Sequence, residues 1–315
     1  MEKFAIILAA GKGTRMKSAD KNRSKVSYEI LKKPLVKYVV DALKPLKLDK
    51  IITVVGYGGD ETKRLVEKDS EIVWQHEQRG TGHAVMQAES ILSDKEGYTI
   101  VCCGDTPIVT EDTFQKLLEE HINSHDDLTV LTAFLDNPQG YGRIKRGEHS
   151  GKVKAIVEQA DCDETMINVK EVNAGIYVFD NKALFSHLHL LNANNKQGEL
   201  YLTDLLAIFK SEKLRVGSYA LEDYHEMMGV NDRWQLYEAS ETIKMRTNKR
   251  LMLEGVTIID PKNTYIGVDV VIGKDTIIYP NTHIYGKTII GSNCVIQPNT
   301  IIENRIIGDN EIVSK

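Results

Sequence analysis

An isoleucine recurs at every sixth position through the C-terminal part of the chain, and this repeat restricts the possible folds more than any other feature. The series consists of Ile266, Ile272, Ile278, Ile284, Ile290, Ile296 and Ile302. Four residues after each isoleucine stands a small or β-branched residue, in the order Val270, Thr276, Thr282, Thr288, Cys294, Thr300 and Ile306. A short fixed period of this kind is typical of solenoids, whose successive turns stack on one another. The sequence therefore predicts a β-helix in this region.

The repeat resembles the left-handed parallel β-helix of hexapeptide-repeat acyltransferases. Each triangular coil of that fold uses three hexads, so the resemblance implies about two to three coils before Lys315. A stack this short exposes an apolar end, and solenoids are stabilised by capping elements and by several repeats. We therefore expect either that partner subunits support the stack or that the chain is a shortened form of a longer one.

Residues 1 to about 218 follow a different pattern, in which short β-rich runs alternate with longer helical ones. The predicted strands are Phe4–Ala10, Ile51–Val55, Glu71–Gln75, Thr99–Cys103, Leu128–Leu135 and Gly175–Phe179. The predicted helices are Leu35–Leu43, Glu61–Lys68, Gly82–Ile91 and Glu111–His121. Such alternation predicts βα units around a mostly parallel sheet, which makes this part a Rossmann-like α/β domain.

Between the two patterns, the length, charge and apolar spacing of residues 232–253 predict one long helix. We therefore expect three segments: an α/β domain over residues 1–229, a linking helix over residues 230–253 and a partial β-helix over residues 254–315. Within the linking helix, the charged run Lys244–Lys249 is interpreted as a solvent-exposed face.

The first predicted strand runs into a glycine loop, Gly11–Met16, with the sequence GKGTRM. Glycines let backbone amides approach a polyphosphate closely, and Lys12 and Arg15 supply positive charge. The loop is neither a Walker motif, which needs Ser or Thr directly after Lys12, nor a Rossmann fingerprint, which needs a glycine in place of Met16. A glycine turn that holds no ligand is the alternative, but further lysines and arginines up to Lys25 favour an anion site.

Composition limits the classes of partner. The 315-residue chain has a formal net charge of −5 and a pI near 6.0, which argues against a nucleic-acid surface. No stretch approaches the roughly 20 apolar residues of a membrane span, and no secretory leader is evident, so we expect no membrane partner and a cytoplasmic location. The four cysteines lack metal-ligand spacing and are interpreted as reduced packing residues. His121 and His125 lack a third ligand, which argues against zinc.

Polar residues follow several of the predicted strands. Asp105 comes directly after the strand Thr99–Cys103, and Mg²⁺ prefers one or two carboxylates together with substrate phosphates. The junction Gln75–His83 offers amide groups that suit a base edge, with Thr81 as a candidate helix N-cap. Glu158 and Asn173 suit hydrogen bonds to sugar hydroxyls or to an N-acetyl group. Taken singly, each of these residues is equally consistent with a cap or a turn.

Taken in order along the chain, the motifs resemble bacterial N-acetylglucosamine-1-phosphate uridyltransferases. The matching segments are Leu8–Met16, Lys25–Val26, Gln75–His83, Gly104–Asp105, Gly140–Arg143, Val157–Glu158, Asn173–Gly175 and Gly229–Asn231. In that family the domain is commonly fused, through a long helix, to a left-handed β-helix acetyltransferase. The resemblance implies Mg²⁺-dependent transfer of a uridylyl group from UTP to N-acetylglucosamine 1-phosphate, which yields UDP-N-acetylglucosamine and pyrophosphate.

The resemblance also implies a role for each candidate site residue. Asp105 and Asn231 would hold Mg²⁺, while Arg15 and Lys25 would be catalytic residues that stabilise charge on the phosphates. The nucleotide would be bound by Leu8, Ala9, Ala10, Gly11, Gly13, Gln75, Gly80 and Thr81. The amino sugar would be bound by Gly140, Glu158 and Asn173. A homotrimer that packs through the β-helix is implied as well.

Two departures from the family pattern leave alternatives open. A proline usually precedes the catalytic lysine, whereas here Ser24 precedes Lys25 after a longer and more basic segment, so Lys21 is a rival for the role. The family's acetyl-transfer residues lie beyond position 315, so we expect no acetyltransferase activity. The competing functions are a related sugar-1-phosphate nucleotidyltransferase, for instance one using glucose 1-phosphate, and a non-catalytic nucleotide-binding assembly protein.

Overall fold

A computed structural model describes residues 1–20, 22–147 and 151–314 of the chain. The chain divides into two compact units, of which the first contains residues 1–27 and 35–231 and the second contains residues 28–34 and 232–315. The long helix therefore groups with the hexad repeat, and so does a short hairpin near the N-terminus. Across the described residues, no helix is long and apolar enough to span a membrane.

The first unit is built on a nine-stranded mixed sheet. Its strands are β1 (Glu2–Ala9), β2 (Lys50–Val55), β3 (Glu71–Trp74), β4 (Gly97–Cys103), β5 (Leu128–Phe134), β6 (Arg143–Arg146), β7 (Val153–Val157), β8 (Glu171–Asp180) and β9 (Val216–Ala220). Its helices are α1 (Leu35–Leu43), α2 (Gly59–Val66), α3 (Thr81–Met86), α4 (Glu89–Leu92), α5 (Glu111–Ser124), α6 (Asn181–His187) and α7 (Asp204–Ser211).

The main path of the sheet has the order β9-β5-β8-β4-β1-β2-β3. β1 pairs in parallel with β2 and β4, and β2 pairs in parallel with β3. β8 is antiparallel to its neighbours β4 and β5, and β6 and β7 form an antiparallel arm beside β8. The predicted α/β domain with a mostly parallel sheet is confirmed, and β1 to β4 end at one edge of the sheet.

Helices cover both faces of this sheet. Phe4 and Ile6 of β1 are buried in one cluster with side chains from α3, α6 and α7. Ala5 and Ile7 of the same strand are buried in a second cluster with side chains from α1 and α5. Successive residues of a strand face opposite sides, so a strand that is buried on both faces reads as a continuous apolar run. This explains why β1 is so apolar, and it holds the glycine loop on a rigid support.

The second unit contains α8 (Arg233–Leu253) followed by the hexad repeat. The Asp232 carboxylate accepts a hydrogen bond from the Gln235 amide and caps the first turn of α8. The repeat forms short strands at Thr257–Ile258, Thr264–Ile266, Val271–Ile272, Ile277–Ile278, Thr282–Tyr285, Ile289–Ile290, Val295–Ile296, Ile301–Glu303, Ile306–Ile307 and Ile312–Val313. These strands stack in three parallel sheets, consistent with the expected left-handed β-helix.

Three hexads make one coil, as the resemblance implies. Ile266 pairs with Ile284, and the register continues from Ile284 to Ile302, a spacing of 18 residues per turn. All seven isoleucines of the series are buried, and so are their small partners from Val270 to Thr300. The threonines keep their hydroxyls satisfied inside the stack; Thr276 Oγ1, for example, donates to the Gly291 carbonyl oxygen over 2.8 Å.

The hexad rule fails after Ile302. Ile306, which the six-residue pattern places among the inward partners, is 82% exposed, and its neighbour Ile307 is buried instead. Ile307 pairs with Ile290, a spacing of 17 residues, so this coil is one residue shorter than the others. Asn304, in the left-handed region at φ 52°, lies at the corner where the shortening occurs.

The interpretation of Lys244–Lys249 as a solvated face is wrong for part of the run. Lys244, Thr247 and Asn248 are buried, and only 1% of Lys244 is exposed. The Lys244 ammonium donates to both carboxylate oxygens of Glu241 and to the Lys262 carbonyl oxygen over 2.7 Å. It also lies 4.6 Å from the centre of the Tyr265 ring. A lysine so fully paired is accommodated in the interior, which charge patterning along the helix alone does not reveal.

The hairpin of the second unit has strands Glu29–Ile30 and Lys33–Pro34. Lys33 forms a 3.0 Å ion pair with Asp269, and the Arg233 guanidinium lies 5.3 Å from the centre of the Tyr28 ring. No sequence pattern indicated that these residues belong with the hexad repeat, because the contacts join parts of the chain that are far apart in sequence.

Candidate active site

A cavity of about 460 Å³ lies at the edge where β1, β3 and β4 end. The residues that line it include Leu8, Ala9, Ala10, Gly11, Gly13, Lys25, Gln75, Gly80, Thr81 and Asp105. Ligands of open α/β sheets bind beyond the carboxyl ends of the strands. The structure therefore brings every predicted nucleotide-binding residue into one pocket, together with one candidate catalytic residue and one candidate metal ligand.

The glycine loop forms one wall of this cavity. Gly13 has φ +58°, and a β-carbon there would lie 2.7 Å from the β-carbon of Lys25. Gly11 is exposed, and a β-carbon at that position would meet nothing within 4 Å. The glycine at 13 is thus required by the protein's own backbone and packing. The glycine at 11 instead leaves open space in which a ligand can approach the chain.

The loop after β3 forms the opposite wall. The buried Gln75 side chain donates to the Gly80 carbonyl oxygen over 3.1 Å and lies 3.1 Å from Nδ1 of His83. Gly80 has φ +108°, and a β-carbon there would lie 2.5 Å from the Leu200 carbonyl oxygen. The expectation that Thr81 caps α3 is wrong: Gly80 is the N-cap, and the Thr81 hydroxyl accepts a hydrogen bond from the Leu202 amide over 3.0 Å.

The two candidate metal ligands lie side by side although they are distant in sequence. The Val230 amide donates to the Asp105 carbonyl oxygen over 2.8 Å, which places residue 231 next to residue 105. The Lys25 ammonium forms an ion pair with Asp105 Oδ2 and donates to Asn231 Oδ1 over 3.0 Å. The Arg15 guanidinium donates to the same Asn231 oxygen over 2.9 Å. The structure thus brings together all four residues assigned to metal binding and catalysis.

This oxygen pair fits a hard divalent cation. Mg²⁺ is bound in nucleotide enzymes by one or two carboxylates, with substrate phosphates and water completing the shell. Asp105 offers a partly buried carboxylate, and Asn231 offers an amide oxygen beside it. Across residues 1–20, 22–147 and 151–314, no group of three or more His, Cys, Asp or Glu side chains is arranged to hold a metal. A divalent cation held by Asp105 and Asn231 would take its remaining ligands from substrate phosphates and water.

The position of Lys25 bears on the choice between the two candidate lysines. Lys25 begins a short 3₁₀ helix, Lys25–Ser27, and its ammonium reaches the cavity. Ser24, which stands where the family usually has proline, is buried, and its amide donates to Glu61 over 3.1 Å. A proline has no N–H and would lose this bond. The rival, Lys21, lies outside the described residues.

The predicted sugar-binding residues lie around the arm formed by β6 and β7 and along the neighbouring strand β8. Glu158 follows β7 and accepts a 2.9 Å hydrogen bond from the Thr203 hydroxyl. Burial raises the pKa of the Glu158 carboxyl, and the bond from Thr203 partly opposes this rise. Asn173 lies in β8, where its amide oxygen accepts from the Gly175 amide over 3.0 Å and its nitrogen donates to the Tyr177 hydroxyl over 2.6 Å.

A buried arginine holds this arm together. Only 1% of Arg143 is exposed, and its guanidinium donates to the carbonyl oxygens of Tyr141 and Ile167. It also donates over 2.9 Å to the Gln159 amide oxygen, which accepts from the Gly140 amide over the same distance. Arg143 therefore fixes the loop that carries Gly140 against the segment that follows Glu158.

Several residues of the cavity were missed from the sequence. Gln78, Cys103 and Glu199 line it in addition to the predicted set. Cys103 had been interpreted as a packing residue; burial, followed by the nearby Asp105 charge, raises the pKa of its thiol to about 12. A β-carbon on Gly175 would lie 3.9 Å from its sulfur, so Cys103 stands between the cavity and the Asn173 turn. Glu199 was undetectable because it follows an irregular segment with no strand or helix pattern.

Comparison with known proteins identifies the two parts of the chain. The model of the nucleotidyl transferase family matches residues 4–237, and the model of the bacterial transferase hexapeptide (six repeats) matches residues 269–304. The bifunctional protein GlmU of Geobacillus sp. (strain WCH70) is 47% identical over 272 residues, which cover 86% of this chain and 58% of that protein. Bifunctional protein GlmU of Bacillus cytotoxicus is 48% identical over 267 residues, which cover 85% of this chain and 57% of that protein.

The chain thus spans somewhat more than half the length of the curated relatives that it matches. Among solved structures, a putative glucose-1-phosphate thymidylyltransferase from Bacillus anthracis aligns with a TM-score of 0.61 over 76% of this chain and 94% of that one. At 20% sequence identity this likeness shows the fold alone. The family match extends over all but the first three residues of the unit that contains the cavity, and the chain therefore belongs to the nucleotidyl transferase family.

Proposed function

We propose that this chain transfers a uridylyl group from UTP to N-acetylglucosamine 1-phosphate, which forms UDP-N-acetylglucosamine and pyrophosphate. The observation that carries the proposal is the single cavity that joins the glycine loop, the Gln75–Thr81 junction, Lys25 and Asp105. The similarity to bifunctional protein GlmU supports it over most of the chain. Because only part of those relatives is matched, the activity is proposed for this chain rather than transferred to it.

In this proposal the two walls of the cavity bind different parts of the nucleotide. The backbone of Leu8–Gly13 binds the phosphates, because the open space at Gly11 admits a ligand close to the amides. The uracil lies against the second wall, where the Gln75 side chain holds the backbone at Gly80 in place. Arg15 and Lys25 act on the negative charge of the phosphates from the edge of the loop.

The reaction needs little covalent chemistry from the protein. A phosphate oxygen of the sugar phosphate attacks the α-phosphorus of UTP, the bond from this phosphorus to the bridging oxygen breaks, and pyrophosphate leaves. Catalysis of such an in-line transfer rests on positioning and on stabilisation of charge. Lys25 and Arg15, which converge on Asn231, are placed to stabilise that charge.

Members of the nucleotidyl transferase family to which this chain belongs generally use a divalent metal ion, and we propose that it is Mg²⁺ here. Asp105 and Asn231 would hold it, because an oxygen of each contacts the same Lys25 ammonium. When bound, the ion neutralises phosphate charge and orients the two reacting groups.

We propose that the amino sugar is bound by Gly140, Glu158 and Asn173. The Gly142 carbonyl oxygen accepts a hydrogen bond from the backbone N–H of Asn173 over 2.8 Å. A β-carbon on Gly142 would lie 3.4 Å from Glu158 Oε2. The three segments are therefore close neighbours. A buried carboxylate that requires a donor discriminates strongly against a substrate that lacks one. Glu158 is thus proposed to accept a hydrogen bond from the acetamido group or from a neighbouring hydroxyl.

We also propose a homotrimer that packs through the β-helix. One sheet of the stack presents an outward ladder of β-branched residues, Val271, Ile289 and Ile306, which are 58%, 46% and 82% exposed. A continuous apolar ladder on a protein surface indicates an interaction site. Light scattering that gives the mass of a monomer would contradict this assembly. A cytoplasmic location stays a prediction from the sequence.

The proposed activity is tested by pyrophosphate release in the presence of UTP and Mg²⁺, with N-acetylglucosamine 1-phosphate compared against glucose 1-phosphate. Preferential turnover of the acetylated sugar supports the proposal. Preference for glucose 1-phosphate assigns the chain to a related sugar nucleotidyltransferase. Binding of UTP without turnover of either sugar phosphate supports the non-catalytic assembly protein instead.

A further inference from the structure

Lys25 occupies the place between the two oxygens to which the metal is assigned. Its ammonium contacts Asp105 Oδ2 and lies 3.0 Å from Asn231 Oδ1. An ammonium group has three donors, and two of them are used on these atoms. The side chains of Lys25 and Asp105 are 16% and 13% exposed, so the pair is only weakly screened by solvent.

A divalent cation and this ammonium cannot share the two oxygens. Mg²⁺ would need its oxygen ligands at about 2.0–2.1 Å, and the ammonium now contacts both of the oxygens that would hold it. Two cations at that distance also repel each other strongly in a partly buried site. A cation held by Asp105 Oδ2 and Asn231 Oδ1 would therefore compete with the Lys25 ammonium for these atoms.

The structure also provides a place for the displaced ammonium. The β-carbon of Lys25 would lie 2.7 Å from a β-carbon on Gly13, so the stem of the lysine rests against the glycine loop. Loop and lysine line the same cavity. A rotation of the flexible side chain is enough to carry the ammonium from Asp105 to phosphates held by the loop, while the stem remains in place.

We propose that Lys25 is the resident counter-ion of the metal site, and that its ammonium transfers to the nucleotide phosphates as the divalent cation enters. Metal and nucleotide then bind with positive coupling. The nucleotide phosphates accept the ammonium that the metal displaces, and the metal neutralises the Asp105 carboxylate that the ammonium leaves. Without nucleotide, Lys25 competes with the metal and keeps its affinity low. With nucleotide, the competition is removed. This inference rests on the proposed function, since it assumes that the cavity binds a nucleoside triphosphate together with a metal.

The test is Mn²⁺ binding, measured by electron paramagnetic resonance on the full chain without nucleotide. Lys25→Met removes the competing cation, and we expect its Mn²⁺ affinity to exceed that of the wild type by at least about fivefold. Lys25→Arg retains a cation beside Asp105 and is expected to bind Mn²⁺ as weakly as the wild type. The matched control is Lys12→Met, which removes one positive charge from the same cavity. Among the described residues Lys12 has no hydrogen bond or ion pair, so its loss should change the affinity by less than about twofold.

Equal Mn²⁺ affinities for wild type and Lys25→Met, or equal gains for the Lys25→Met and Lys12→Met variants, overturn the inference. Circular dichroism establishes that each variant is folded, and Lys25→Gln, which also removes the cation and is expected to show the same gain, replaces Lys25→Met if that variant is not folded. A separate titration of the wild type with Mn²⁺ and UTP, followed by water proton relaxation, tests the proposed function. If the wild type binds no Mn²⁺–UTP, the proposed function fails. If it binds the complex while Lys25→Met shows no gain, only this inference fails.

Discussion

The backbone amide of Val230 donates a hydrogen bond to the carbonyl oxygen of Asp105 over 2.8 Å. This bond ties the last segment of the α/β unit to the loop after β4, and it sets Asn231 beside the Asp105 carboxylate. Asp105 supplies the carboxylate and Asn231 supplies the amide oxygen. Neither residue therefore forms the site alone. The candidate metal site is therefore a product of tertiary structure.

Replacement of Asp105 by Asn should remove activity with little loss of fold. The variant keeps the size of the side chain and the backbone bond from Val230, but it loses the charge that is proposed to hold a divalent cation. We expect the rate of pyrophosphate release to fall by about 10²–10³-fold, which is typical for loss of one group that stabilises developing charge. Asp112→Asn is the control, because that exposed carboxylate pairs with Lys116 on α5. A variant at 105 that retains most of its rate would contradict the assignment.

Two glycines of the cavity should respond differently to substitution by alanine. At Gly80 the φ angle is +108° and the new β-carbon would lie 2.5 Å from the Leu200 carbonyl oxygen. We expect Gly80→Ala to lower the free energy of unfolding by about 1–3 kcal/mol. At Gly11 the β-carbon meets nothing, so Gly11→Ala should leave this free energy within about 0.5 kcal/mol of the wild type.

The same Gly11→Ala variant should bind UTP more weakly, because the methyl group occupies space that the account gives to the ligand. Denaturant unfolding and calorimetric titration with UTP measure the two effects separately. Unchanged UTP affinity in a stable Gly11→Ala variant would show that the nucleotide does not approach this part of the loop.

Replacement of Glu158 by Ala should affect the sugar substrate far more than UTP. The carboxylate accepts from the Thr203 hydroxyl and lies beside Gly142, whose carbonyl oxygen accepts from the backbone amide of Asn173. Loss of one hydrogen bond to a charged group costs about 1.5–3 kcal/mol, so KM for the sugar phosphate should rise roughly tenfold or more. KM for UTP should stay within about twofold in steady-state assays. An equal rise in both constants would argue against a role in sugar binding.

The raised pKa of Glu158 also makes a prediction about stability and pH. Burial favours the protonated carboxyl in the folded protein, while the unfolded chain ionises near the ordinary value of 4.5. As pH rises above 4.5 the unfolded state loses its proton first, and the contribution of this group to stability falls until the folded carboxyl has ionised as well. The Tm of the wild type, measured as its difference from the Tm of Glu158→Gln, should therefore fall as the pH rises from 4.5 to the pKa of the folded carboxyl. A Tm difference that is independent of pH would contradict this.

The buried Lys244 of α8 should contribute more to the free energy of unfolding than the exposed Lys249 of the same helix. Lys244→Met leaves the Lys262 carbonyl oxygen without its donor, and we expect the free energy of unfolding to fall by about 1–3 kcal/mol. Lys249→Met removes an equal charge from the exposed side of the same helix and should change it by less than about 0.5 kcal/mol. Urea titrations of both variants make the comparison, and equal effects would show that the contacts of Lys244 contribute nothing.

Much of the fold follows from periodicity in the sequence. The helix predicted at Leu35–Leu43 is observed with those bounds, and the predicted strand Thr99–Cys103 is observed as Gly97–Cys103. Both elements are strongly apolar and bury their apolar positions, so the local pattern and the tertiary packing agree. The β-helix was equally evident, because its buried isoleucines recur every six residues, which is three times in each 18-residue coil.

What the sequence did not predict depends on contacts between distant segments. Lys244 is buried because Glu241, Lys262 and Tyr265 surround its ammonium, and no helical pattern contains that information. Thr81 has the composition of an N-cap, yet its hydroxyl accepts from the Leu202 amide of a remote loop. The one-residue contraction at Ile307 is likewise set by stacking on the preceding coil, which overrides the hexad spacing.

The most direct test of the account is to identify the products by ³¹P nuclear magnetic resonance after incubation of the chain with UTP, Mg²⁺ and N-acetylglucosamine 1-phosphate. The account predicts that resonances of UDP-N-acetylglucosamine and pyrophosphate grow together in equal amounts, and that both grow far more slowly with the Asp105→Asn variant. Persistence of UTP and the sugar phosphate with the wild-type protein, under conditions in which UTP is bound, would contradict the central claim that this cavity catalyses uridylyl transfer.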